Sequence, residues 1–156
     1  MLIQNGVEQM NCYDSLLAIK KTSRQLYSEL MTKFNNDLSG KCIIASDELV
    51  RRLTRLGIKA ETHQCWCLYE CFEGCSNYCF EEHWVVRAKA GSQTVYIDLT
   101  ISQFQWAFTR DIGKLYIGAK LPKFLLHRKP GRDTLKKCGW TDWYNTGSYV
   151  NNFEYY

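Results

Sequence analysis

The sequence predicts an α+β fold in which N-terminal helices pack on an antiparallel β-sheet. Three observations carry this expectation: a helix-period apolar pattern near the start, a second helical stripe after a turn-rich break, and two alternating runs separated by Gly91-Ser92. The chain has 156 residues, 46% of them apolar, with five Trp, ten Tyr and seven Phe. That is material for one substantial core, so residues 1–156 are read as a single domain.

From Asn11 to Phe34 the residues Leu16, Leu17, Ile19, Leu26, Tyr27, Leu30, Met31 and Phe34 recur mostly at helical spacing, and Asp14 or Ser15 is placed to cap the start. One or two helices are expected there. The stretch Asn35 to Gly40, NNDLSG, reads as a break. Beyond it Ala45, Leu49, Leu53 and Leu56 form a stripe that ends at Gly57, which puts Cys42 in the first turn of a helix. Ile58 to Thr62 begins a strand, and a Cys-rich stretch follows from His63 to Cys79. HWVVRAKA (83–90) and QTVYIDLT (93–100) then alternate as two strands of a hairpin. Leu115–Ile117 and Phe124–His127 add strands, and the aromatic, Asn-rich tail from Trp140 to Tyr156 is expected to dock rather than stay disordered.

Charge excludes some partners. Twenty Lys and Arg against sixteen Asp and Glu give a formal +4. The cations are scattered apart from short clusters such as Lys20-Lys21 and Arg51-Arg52, a solvated surface rather than a nucleic-acid footprint. MLIQNGVEQM lacks a basic segment followed by an apolar one, and nowhere do roughly 18 apolar residues run together. No membrane or nucleic-acid partner is expected, and the location is read as cytoplasmic, or as a host cytosol reached without a Sec signal. In a reducing compartment the eight cysteines would stay available for metal binding or catalysis.

The hairpin fixes which side chains share a face. With the turn at Gly91-Ser92, Ala90 pairs with Gln93, Ala88 with Val95, Val86 with Ile97 and Trp84 with Leu99, giving an apolar core face. The other face carries His83, Val85, Arg87, Tyr96, Asp98 and Thr100. Asp98 lies opposite Val85 and diagonal to His83, within hydrogen-bond reach of the imidazole. A carboxylate there fixes the tautomer of the ring and stabilises its protonated form. Cys42, at a helix N-terminus, sits where free backbone N–H groups and the helix dipole favour thiolate. Each residue has a plain structural use when taken singly: a small buried thiol, a polar strand end, a turn acceptor. Together, Cys42 as nucleophile, His83 as base and Asp98 as orienting acid form an acyl-transfer set.

The segments C-x2-A-x3-L-x3-L from Cys42, HWVV from His83, and YIDLT-x2-QF ending at Phe104 resemble the papain-fold glutamine deamidases of bacterial toxins and effectors, within the broader papain- and transglutaminase-like group. The resemblance spans Lys41 to Phe104. It implies a papain-like fold and amide hydrolysis through a thioester at Cys42, with no cofactor for catalysis. The implied substrate is a Gln side chain of a partner protein, with peptide-bond cleavage or transglutamination as alternatives. Thr100, Gln103 and Phe104 correspond to the segment after the acid. Papain-like peptidases place a Gln six residues before the Cys, where this chain has Asn36. Asn36, Gln103 and Trp84 are the candidates for oxyanion stabilisation or substrate contact.

Cys67, Cys71, Cys75 and Cys79 would suffice as ligands of a structural Zn²⁺, although no C-x2-C knuckle is present. His63, Cys65 and Cys67 share one strand face by period two, so packing or disulfides explain the same residues. The rivals to the hydrolase are a non-enzymatic Cys-rich binding or inhibitor protein and a redox or metal-storage protein.

Overall fold

The structure is a computed structural model that describes residues 10–70, 78–108, 110–131 and 153–155. Helix α1 (Cys12–Lys33) is one continuous helix. Its cap is Asn11, not Asp14 or Ser15: the Asn11 side-chain oxygen accepts the Asp14 N–H at 2.8 Å, supplying one partner the first turn lacks. At the other end Asn35 (φ 52°) and Asn36 (φ 63°) are left-handed, and the Asn36 N–H returns to the Met31 carbonyl at 2.8 Å. The NNDLSG break is therefore a built helix stop.

Helix α2 (Cys42–Arg55) buries Ala45, Ser46, Leu49 and Leu53. Gly57, at φ +77°, ends it: its N–H reaches Thr54 O and the next N–H, of Ile58, reaches Leu53 O, both at 3.0 Å, while Ile58 and Leu53 are both buried. Leu49 and Leu53 are fully buried, and removing such a side chain from water contributes roughly 1.5–3 kcal/mol each.

Among the described residues six strands follow: β1 (Ala60–Glu70), β2 (Tyr78–Ala90), β3 (Gln93–Asp98), β4 (Tyr116–Gly118), β5 (Leu125–Leu126) and β6 (Phe153–Tyr155). They form an antiparallel sheet ordered β5-β1-β2-β3-β4-β6. A 3₁₀ helix spans Ile101–Ala107. The expected α+β class, helices on an antiparallel sheet, is what the structure has. The Cys-rich stretch is more ordered than its composition suggests: β1 runs straight through Cys65 and Cys67, paired with β2 from Ala60↔Ala88 to Glu70↔Tyr78.

The hairpin register is as the alternation requires, with Ala90↔Gln93, Ala88↔Val95 and Val86↔Ile97. It stops short of the expected Trp84–Leu99 pair, because β3 ends at Asp98. The sheet buries both faces. One packs Val86, Ala88, Val95, Ile97 and Ile117 with Ile19, Leu26, Leu49 and Leu53 of the helices. The other packs Cys65, Cys67, Val85 and Tyr116 with Ile101, Phe104, Ile112 and Phe124. By the alternation alone the second face, with His83, Val85 and Asp98, lies away from the core. The 3₁₀ helix and the segment after it cover that face instead, so His83 and Asp98 lie in the interior.

Gly91 closes the hairpin at φ +63°, and a β-carbon there would lie 3.1 Å from Cys12 Cβ and 3.4 Å from its Cα, in the first turn of α1. Left-handed strain and crowding against α1 act in the same direction. Gly91→Ala is expected to destabilise the fold by about 1–2 kcal/mol, measured as a lower urea midpoint with an unchanged slope.

Candidate active site

Trp84 explains how a helix on one face of the sheet meets a histidine on the other. Where β3 ends, the β2 backbone at Trp84 loses its strand neighbour, and the start of α2 fills the place. Ser46 Oγ donates to the Trp84 carbonyl at 3.2 Å, and the Trp84 backbone N–H lies close enough to the Cys42 sulfur to lower its proton affinity. Two side chains four residues apart on α2 thus clamp one residue of β2, setting the Cys42 thiol beside His83.

His83 is fully buried. Its Nε2 lies 2.7 Å from Asp98 Oδ2. The other Asp98 oxygen, Oδ1, accepts the Thr100 N–H at 2.9 Å and the Thr100 hydroxyl at 3.3 Å. Both carboxylate oxygens are therefore held, and the ring cannot turn without breaking the Nε2 hydrogen bond. Phe104 meets the imidazole edge to face with centroids 4.8 Å apart. Nε2 is committed to Asp98, and Cys42 lies close enough to the ring for each to shift the other's proton affinity.

Gln103 ties these parts together. Its Oε1 accepts the Gly40 N–H at 3.4 Å, and its Nε2 donates to Thr100 Oγ1 at 3.0 Å and faces His83 Nδ1 at 3.2 Å. The Gly40 and Thr100 hydrogen bonds fix which way the amide points. Gln103 thus bridges the loop before Cys42, the imidazole and the residue that holds Asp98.

Electrostatics follow from the geometry. Burial pushes the Cys42 thiol up, but the hydrogen bond and charge of His83 and the Trp84 N–H outweigh burial and the opposing Asp98 charge, leaving it below the ordinary thiol value. Burial pushes His83 down, yet the Asp98 charge and hydrogen bond, with the Cys42 hydrogen bond, raise it to about 9. The contact acts on both groups at once, lowering the thiol and raising the ring, in the direction of thiolate with imidazolium. Cys65, opposite His83 on β1, and Cys67 are fully buried, and desolvation raises both thiols far above their ordinary value. Cys12 is exposed. Iodoacetamide near neutral pH is therefore expected to modify Cys42 fastest and Cys12 more slowly, and to spare Cys65 and Cys67 until the protein is unfolded, read by peptide mass spectrometry.

The structure brings together Cys42, His83, Asp98, Gln103 and Trp84 of the sequence candidates. Asn36 is not brought to them. It is exposed, and its backbone closes α1. Gln103, an oxyanion candidate by sequence, has both ends of its amide engaged and acts as a brace. The role of the Trp84 backbone was missed, because nothing in the sequence says where β3 stops. The spacing D-x-T-x2-Q was the available signal for the Thr100 and Gln103 hydrogen bonds. Of the zinc candidates, Cys71 and Cys75 lie outside the described residues, and Cys67 is a buried thiol. Cys79 is disulfide-bonded, and a disulfide sulfur is not a thiolate ligand. Among the described residues no group of three or more His, Cys, Asp or Glu is arranged to hold a metal. No described helix is long and apolar enough to cross a membrane.

Compared with protein-family models, curated proteins and solved structures, the chain matches none.

Proposed function

We propose that the protein is a thiol hydrolase of papain-like type that opens an amide through a thioester at Cys42. The observation that carries this reading is a buried imidazole with Asp98 2.7 Å from Nε2 and the Cys42 thiol close enough that thiol and ring shift each other's proton affinity. The Cys42 thiolate attacks the carbonyl carbon, and the oxyanion faces the N–H groups of Cys42, Ile43 and Ile44, the first turn of α2, which precede the first helical bond at Ala45. Protonated His83 gives its Nδ1 proton to the departing nitrogen, leaving the acyl group on sulfur. Water, deprotonated by His83, then hydrolyses the thioester, and the carboxylic acid leaves. Asp98 holds the ring and its charge through both steps. Following the sequence resemblance, the substrate is a Gln side chain of a partner protein and the departing nitrogen is ammonia.

p-Nitrophenyl acetate and a pool of Gln-containing peptides test this. Turnover of the ester with a transient acetyl group on Cys42, abolished in Cys42→Ala, supports the thioester step. Conversion of Gln to Glu in the peptides marks a deamidase, whereas cleaved backbones mark a peptidase. No Cys42-dependent turnover of either probe counts against the hydrolase reading.

A further inference from the structure

Between the start of α2 and the β1–β2 strands lies a cavity of about 160 Å³ lined by Ile43, Asp47, Thr62 and Trp84. Ile43 follows the nucleophile in the chain and Trp84 follows the base. Ser46 Oγ donates to the Trp84 carbonyl at 3.2 Å, so the first turns of α2, which begin with Cys42, meet β2 at the Trp84 wall of the cavity. Ile43 is 54% exposed and Ile44 after it is exposed too, so the first turn of α2 presents apolar surface to solvent. The cavity walls combine Trp84, Ile43 and Thr62 with one acidic residue, Asp47, one helical turn beyond Ile43. Asp47 is exposed, and no cation pairs with it among the described residues. The nearby basic residues of α2 are otherwise engaged, Arg51 and Arg52 both pairing with Glu48.

We propose that this cavity is the substrate's specificity subsite, and that it takes a side chain with an apolar stem and a cationic end, Lys or Arg, next to the amide under attack. The inference rests on the thiol-hydrolase reading. The stem would cover Ile43 and Trp84, the two walls that water now reaches, and the ammonium or guanidinium would meet Asp47 at the rim. A glutamate in the same place would meet a like charge.

The test uses irreversible probes of the full chain and needs no natural substrate. Chloroacetamides of lysine, norleucine and glutamate amides carry the side chain on the amine side of the reactive carbon. The corresponding acyl-amino-acid chloromethyl ketones carry it on the acyl side. Rates of Cys42 alkylation are divided by the iodoacetamide rate of the same protein. In at least one series lysine is expected to exceed glutamate by on the order of tenfold, with norleucine between, and the preference should shrink as salt is added. In Asp47→Asn the lysine-to-norleucine ratio should fall to about one, and in Asp47→Lys glutamate should lead. Equal rates for the three side chains in both series, or a lysine preference that survives Asp47→Lys, would overturn the subsite. If Cys42 reacts with iodoacetamide no faster than Cys12, the thiol-hydrolase reading itself fails, an outcome the side-chain ratios do not produce.

Discussion

Asp98→Asn is expected to lower turnover by about four orders of magnitude, a size typical of replacing the orienting acid of a nucleophile–histidine–acid triad with its amide. The reason lies in how the carboxylate is held. Thr100 donates to Oδ1 through both its N–H and its hydroxyl, so an asparagine would keep its carbonyl oxygen there. Its NH₂ would then face His83 Nε2, where a hydrogen now points outward from the ring. The imidazole would have to place its proton on Nδ1, facing Cys42, and could no longer accept one from it. The loss of charge acts in the same direction. Without Asp98, burial dominates at His83 and drives it toward the neutral form, and the thiol loses the imidazolium that lowers it. The change should fall on kcat with little effect on KM, since Asp98 does not touch the substrate. Full activity in this variant would remove Asp98 from the mechanism.

Cys42→Ala is expected to reduce turnover of ester and peptide probes to the uncatalysed rate while changing stability by less than about 1 kcal/mol. Position 42 is the first residue of α2 and only half-buried, and alanine is the best helix former. Alanine cannot make the hydrogen bond to His83, but the variant is also relieved of holding a charged pair in a poorly solvated place, and the two effects partly offset each other. A folded but inactive Cys42→Ala separates chemistry from architecture. If urea unfolding instead shows destabilisation by several kcal/mol, Cys42 is a packing residue and the start of α2 is not a site.

How much of this was legible in the sequence depends on the range of the interaction. The limits of α2 could be read because Gly57 and the 45-49-53 stripe are local signals. The His83–Asp98 pairing could be read because a tight turn at Gly91 fixes register over the next few residues. The shared strand face of His63, Cys65 and Cys67 could be read by period two, but the extent of the strand to Glu70 was obscured, since Cys65, Trp66, Cys67, Leu68 and Tyr69 are all apolar and a sheet buried on both faces shows no clear alternation. The α1 cap lay a few residues earlier than expected because Asn11, Asp14 and Ser15 are all competent caps, and only the geometry chooses. The Trp84 clamp and the Gly40 end of the Gln103 brace were beyond reach. The first depends on where β3 yields to a helix whose Ser46 donor is 38 residues away in sequence, the second on a hydrogen bond across 63 residues to Gly40.

The central claim is that His83, held by Asp98, keeps Cys42 as a thiolate. Its most direct test is the rate of Cys42 alkylation by iodoacetamide as a function of pH, resolved from the other thiols by mass spectrometry, in the native protein and in Asp98→Asn. The account predicts a midpoint below the ordinary thiol value of about 8.5 in the native protein. In the variant the midpoint should move upward, because loss of the imidazolium outweighs removal of the small direct repulsion between Asp98 and the thiolate. A native midpoint at or above the ordinary value, unchanged by Asp98→Asn, would contradict it and leave His83 and Asp98 as a buried structural pair.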